Sequence, residues 1–151
     1  MTPLARASVL ALLLPALLLA GAFGSEWFGG LYPCEMCHWQ RWPHELAVAI
    51  MIVALFIRPA AQKPLVALAA LAILVSGMIG VFHAGVEYGS WQGLTTCSAT
   101  AAGGSLSDLL AAPMVRCDQP QWTLGGISLA GFNAIFSLGG ALIILNWLRR
   151  T

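Results

Sequence analysis

The chain has 151 residues, of which 59% are hydrophobic and 9% charged, and its formal net charge is +1. Water-soluble domains carry about 25% charged residues, so this composition excludes an ordinary soluble domain and makes lipid the expected solvent. There is no basic cluster to point to nucleic acid, and the length fits one domain without internal repeats.

Four apolar stretches predict an all-α membrane protein, a four-transmembrane-helix bundle with two outer loops, spanning 1–151 as one unit. The first helix, about 7–24, is uncharged and long enough for a hydrocarbon core of ~30 Å. Pro15 lies inside it, as membrane helices tolerate. Arg6, the apolar run and Ala20-Gly21-Ala22 also resemble a secretory signal, but the run exceeds the roughly 7–15 residues of a signal core, so a retained helix is expected. An outer loop of about 25–41 follows. The second helix, about 42–57, is the weakest: counted from Trp42 it would rise roughly 24 Å, short for a span, and it is assigned by the charges on either side. The third helix is expected over 64–83, the second outer loop over 84–124 and the last helix over 125–148.

With four spans, Arg6, Arg58, Lys63, Arg149 and Arg150 share one face, against Arg41 and Arg116 on the other. That asymmetry predicts both termini in the cytoplasm. Trp27, Trp39, Trp42, Trp91 and Trp122 fall near the outer ends, as an aromatic belt would. Ser76, Gly80 and Ala84, and likewise Gly126, Ala130 and Ala134, repeat at a spacing that lets membrane helices approach closely.

All four cysteines, Cys34, Cys37, Cys97 and Cys117, fall on the outer side, which points to an oxidising compartment. Of three possible pairings, the economical one joins Cys34 to Cys37 and Cys97 to Cys117. A Cys-x-x-Cys is typical of redox-active or metal-binding dithiols. The second pair lacks the close spacing of zinc knuckles, so no metal is expected. Cys34-x-x-Cys37-His38 also matches the attachment motif of c-type haem, which makes a membrane-anchored c-type cytochrome the alternative reading. Against it, the first outer loop is too short to wrap a porphyrin, and Cys97 and Cys117 would be left unexplained.

Arg41 lies four residues after Cys37. On a helix both would share a face, with the guanidinium leaning toward the thiol and favouring the thiolate. Pro43 suits a helix start there. His83, near the outer end of the third helix, is a candidate contact for an electron carrier, with packing or a backbone bond as the bland reading. In the second outer loop, Gly103-Gly104 predicts mobility. Ser107 is placed to cap a short helix that Pro113 stops, with Leu106, Leu109, Leu110, Met114 and Val115 as a membrane-surface face.

Pro33-Cys34-Glu35-Met36-Cys37-His38-Trp39-Gln40-Arg41-Trp42-Pro43, then Gly85-Val86-Glu87 with Trp91 and Cys97, Arg116-Cys117-Asp118, and Trp122-Thr123-Leu124-Gly125-Gly126-Ile127-Ser128 resemble the bacterial disulfide bond formation protein B (DsbB) family. The resemblance covers Leu31 to Trp147. It implies a thiol:quinone oxidoreductase of the bacterial inner membrane that supports periplasmic protein folding, with its redox loops facing the periplasm. A DsbA-like thioredoxin-fold partner would deliver electrons, and ubiquinone or menaquinone would accept them. By the family pattern Cys97 forms the mixed disulfide with the partner, Cys117 exchanges onward with Cys34, Cys37 faces the quinone as thiolate, and Arg41 binds the quinone head. The segment between Cys97 and Cys117 is shorter than in the best-known members, and His38 has no family counterpart role.

Overall fold

A computed structural model describes residues 1–94, 98–99 and 114–151. Four long helices carry the architecture: α1 (Pro3–Trp27), α2 (Glu35–Leu55), α3 (Pro59–Glu87) and α4 (Leu129–Arg149). Two antiparallel two-stranded ladders sit among the connections, β1 (Ser98–Ala99) with β2 (Met114–Val115), and β3 (Thr123–Leu124) with β4 (Ile127–Ser128). The helices pack in cyclic order, α1 against α2 and α4, and α3 against α2 and α4. Cys97, Gly103-Gly104, Ser107, the leucines 106, 109 and 110, and Pro113 lie outside the described residues.

The solvent assignment follows from which side chains face out. Leu17 on α1, Val53 on α2, Met78 on α3 and Leu142 on α4 are all more than half exposed. The interior between them is built from small residues, Ala7, Ala11, Ala47, Ala69, Ala70 and Ala141, around Met51, Ile73 and Ile144. Large apolar groups outside and small ones inside is the arrangement of helices that associate in lipid by close approach. α1, α4 and the Ala61–Glu87 part of α3 are each long and apolar enough to cross a membrane, so the chain is a multi-pass membrane protein.

α2 begins seven residues ahead of the start expected at Trp42. Cys34 is its N-cap, and the Cys34 sulfur accepts from the Cys37 amide at 3.2 Å. With 21 residues the helix rises roughly 31 Å, so the expected short span is corrected: the helix is of ordinary length and its apolar part is short. Pro43 accordingly sits in the helix interior and not in the first turn. The first outer connection shrinks to residues 28–34. α3 also starts earlier than position 64, because Pro59 opens it, where a missing amide costs nothing. Gln62 then closes the α2 end by donating to Ala54 O and Ile57 O, each at 3.0 Å.

The small-residue spacing of Gly80 with Ala130 and Ala134 marks a true contact. A Cβ on Gly80 would lie 3.0 Å from Ala130 O and 3.1 Å from Ala134 N, both backbone atoms that cannot turn aside. Gly80→Val is therefore expected to destabilise the bundle by about 1–3 kcal/mol; an unchanged unfolding midpoint in detergent would remove this account of the α3–α4 seam. Gly126 does not belong to that seam. Gly125 (φ 59) and Gly126 (φ 81) form the turn between β3 and β4, the two-residue hairpin that needs positive φ at both positions. α4 consequently starts at Leu129, capped by Ser128, which accepts from Gly131 N at 3.1 Å.

Along the bundle axis the interior has layers. The alanine core fills the end that holds Arg6, Arg58, Lys63 and Arg149. A layer of Gln40, His44, Ser76, His83 and Ser137 crosses the middle. Cys34, Met36, Val86, Val115 and Cys117 close the other end.

Candidate functional site

Three cysteines meet at this closed end. Cys34 is 1% and Cys117 2% exposed, whereas Cys37 is only partly covered. The Cys34 and Cys37 sulfurs are 2.8 Å apart as hydrogen-bonded thiols, and Cys34 is also hydrogen-bonded to Cys117. Cys34 is thus the shared neighbour of both. The Cys117 contact, then that of Cys37, then burial push the Cys34 thiol far above the usual range, so it keeps its proton. In the fully reduced protein Cys37 is therefore expected to react with iodoacetamide about tenfold or more faster than Cys34. Mass spectrometry of timed samples checks this, and equal rates would contradict it.

Cys117 is carried by a bracketed turn. Arg116 forks onto Asp118, Nε to Oδ1 at 2.8 Å and Nη2 to Oδ2 at 2.6 Å. That contact holds the Asp118 carboxyl below its ordinary range. Both groups are about half exposed, so the pair orients the turn and adds little stability.

His83 reaches the same cluster. Its Nε2 lies 3.5 Å from the Cys34 sulfur and 3.7 Å from Glu87 Oε1, and it is hydrogen-bonded to the Cys117 backbone. The network decides which ring nitrogen carries the proton. Gln40 Nε2 donates to Met36 O at 3.2 Å and faces His83 Nδ1 at 2.8 Å, while Gln40 Oε1 accepts from Asn133 Nδ2 at 2.8 Å. His83 Nδ1 is then the acceptor, and Nε2–H faces the Cys117 backbone and the Cys34 sulfur beside it. Cys34, Cys37 and His83 offer ligand atoms within 4.8 Å of one another, close enough for one metal ion. A protonated Nε2, however, suits donation to a thiolate and not metal ligation. Glu87 is held in turn by Ser128 Oγ, and Tyr88 Oη pins the hairpin, accepting from Ser128 N at 2.8 Å and donating to Gly126 O at 2.7 Å.

Arg41 does not lean on Cys37 as the helical spacing predicts. Its Nη1 donates to Glu26 Oε2 at 2.7 Å and its Nη2 to Ala22 O at 3.3 Å, with the guanidinium 4.8 Å from the centre of the Phe23 ring. α1 provides all three contacts, and Arg41 is 8% exposed. Glu26, an unassigned outer-side carboxylate at the level of sequence, is its counter-ion.

Beside the cysteines lies a cavity of about 250 Å³. Its polar edge includes Cys37, Arg41, His44 and Asn133, and its apolar walls come from α1 (Leu17, Leu18) and α4 (Leu129, Phe132). His83 and Arg116 reach it as well, whereas His38 is not among the lining residues. Cys34, Cys37, Cys117, Arg41 and His83 are thus brought to one place, and Cys97 lies outside the described residues. Sequence reasoning missed Gln40 and Asn133. Their one signal was polarity inside otherwise apolar helices, which in membranes marks function or pairing.

A family model for the disulfide bond formation protein DsbB matches residues 5–147. The chain belongs to the DsbB family. The uncharacterized protein RP370 of Rickettsia prowazekii (strain Madrid E) is 27% identical over 127 residues, covering 80% of this chain and 73% of that protein. No solved structure matches the chain. Membership implies disulfide bond formation as the activity of this DsbB-family protein. The cytochrome reading of Cys34-x-x-Cys37-His38 finds no support in these comparisons.

Proposed function

We propose that this DsbB-family protein is a thiol:quinone oxidoreductase of the bacterial inner membrane, oxidising the dithiol of a DsbA-like thioredoxin-fold partner and passing the electrons to a membrane quinone. In this reading α2 is the fourth span, its outward Leu46, Ile52, Val53 and Leu55 facing lipid beside the three more apolar helices. The excess of Arg and Lys at the opposite end of the bundle supports a periplasmic side for the cysteines.

The observation that carries the proposal is the position of Cys34, hydrogen-bonded to Cys117 on one side and to Cys37 on the other, with Cys37 on the cavity wall. Cys97 takes the mixed disulfide with the partner. Cys117, released as a thiolate, attacks Cys34 of a Cys34–Cys37 disulfide and frees Cys37. His83 Nε2–H stabilises sulfur charge during the exchange. The cavity suits a flat ring with polar ends, with apolar Leu17 and Phe132 at its walls and Arg41 and His44 on its edge. Bound there, a quinone supplies an acceptor for two electrons and two protons, and each dithiol oxidised to a disulfide releases that number of both. An acceptor more oxidising than any disulfide pool is needed, because a DsbA-like couple stands near about −120 mV.

The test is a reconstitution. Purified protein in lipid nanodiscs, a reduced thioredoxin-fold dithiol protein and a benzoquinone should show quinone reduction by absorbance. Turnover that is unchanged in Cys37→Ser would show that electrons do not leave through this dithiol.

A further inference from the structure

The middle polar layer contains one atom that the exchange chemistry does not use. His44 is 3% exposed and lines the cavity. Its Nε2 lies 2.9 Å from Asn133 Oδ1, 2.9 Å from Ser76 Oγ and 3.3 Å from Ser137 Oγ. The orientation of Asn133 is settled by its other bonds: Nδ2 donates to Gln40 Oε1 at 2.8 Å and to Ser76 O at 3.2 Å, while Oδ1 accepts from Ser137 Oγ at 2.8 Å. Oδ1 can only accept, so His44 Nε2 carries the proton, and in the neutral ring Nδ1 is a bare lone pair. That Nδ1 is buried and has no partner among the described residues. Native proteins rarely leave such an atom unpaired, and an unpaired one calls for an explanation.

We infer that His44 Nδ1 is a binding contact for a hydroxyl group in the cavity, and therefore recognises the reduced, hydroquinone form of the carrier over the oxidised form. This rests on the quinone reading above. A quinone oxygen offers only lone pairs and gains nothing from another lone pair. The corresponding hydroquinone oxygen carries a hydrogen and can donate it to Nδ1. Cys37, Arg41 and His44 recur at i, i+4 and i+7 on one face of α2, so a ring with oxygens at both ends can meet the Arg41 edge with one and His44 with the other. The rigid Asn133–Ser76–Ser137 cradle matters because it holds the proton on Nε2 and prevents the ring from presenting N–H to the cavity.

The test uses fully oxidised protein under anaerobic conditions, in which a short-chain benzoquinone and its hydroquinone are titrated separately. In wild-type protein labelled with 15N-histidine, the unprotonated nitrogen of His44 should shift with hydroquinone and stay in place with benzoquinone. His44→Leu should weaken hydroquinone binding about tenfold more than it weakens benzoquinone binding, the scale of one buried hydrogen bond. Equal losses for both ligands would make His44 a packing residue and overturn the assignment. Hydroquinone that binds without moving the resonance would also overturn it, leaving Nδ1 to a water, and this measurement needs no variant to fold. If wild type binds neither compound, the quinone reading fails and this inference falls with it.

Discussion

Cys34→Ser is expected to abolish quinone reduction by a partner dithiol, by about three orders of magnitude or more, because steps that act as a unit fail together when one member is removed. Cys34 touches both Cys37 and Cys117, so in the proposed relay it joins the two cysteine pairs. A serine oxygen keeps the N-cap of α2, which the Cys34 sulfur now provides to Cys37 N, and serine is a better cap than most residues. Folding is therefore expected to survive. The first exchange, between the partner and the outer pair, should also survive, since it needs no contact with Cys34. Trapping the mixed disulfide with the partner while following quinone absorbance separates the two. If Cys34→Ser retained a tenth or more of wild-type quinone turnover, the relay order proposed here would be wrong.

Arg41→Ala carries the second large effect, and its direction depends on where the guanidinium is held. Arg41 is clamped by Glu26 and Ala22 O on α1, at the edge of the cavity and not against the Cys37 sulfur. Its removal takes a donor from the cavity edge and leaves Glu26, 25% exposed at the side chain, without its counter-ion. A loss of at least about tenfold in quinone use is expected, about 1.4 kcal/mol at the transition state. Disulfide exchange with the partner should change by less than about twofold, because in the proposed relay that exchange uses Cys97 and Cys117 and not the cavity edge. Glu26→Gln should give a smaller loss in the same half-reaction, since the amide can still accept from Arg41 without the charge. Equal losses in both half-reactions for Arg41→Ala would assign the arginine to holding α1 on α2 alone.

α2 shows how far a sequence can be read. Its apolar half, Leu46 onward, is legible by composition, but its start is not, since Cys34 to Glu45 reads as a polar outer loop with a proline. The helix forms there because Cys34 caps it and because Gln40, Arg41 and His44 find partners on α1, α3 and α4. Those partners are 15 to 93 residues away along the chain, beyond the reach of any local pattern. The same distance hides the role of Glu26. The hairpin at Gly125-Gly126 was missed for the opposite reason: two glycines in an apolar run read equally well as close helix packing and as a turn, and only positive φ tells them apart.

By itself the sequence determined the lipid solvent, the three strongly apolar helices, the shared side of Cys34, Cys37 and Cys117 and the family, because composition, charge asymmetry and the Cys-x-x-Cys spacing are local properties that survive without coordinates. The tertiary structure decided which groups touch. Cys34 is hydrogen-bonded to both Cys37 and Cys117, Arg41 turns to α1, and His44 keeps an unpaired ring nitrogen in the interior. Each of these depends on hydrogen-bond donors and acceptors from different helices being satisfied together in a dry interior, where a mismatched pair is costly.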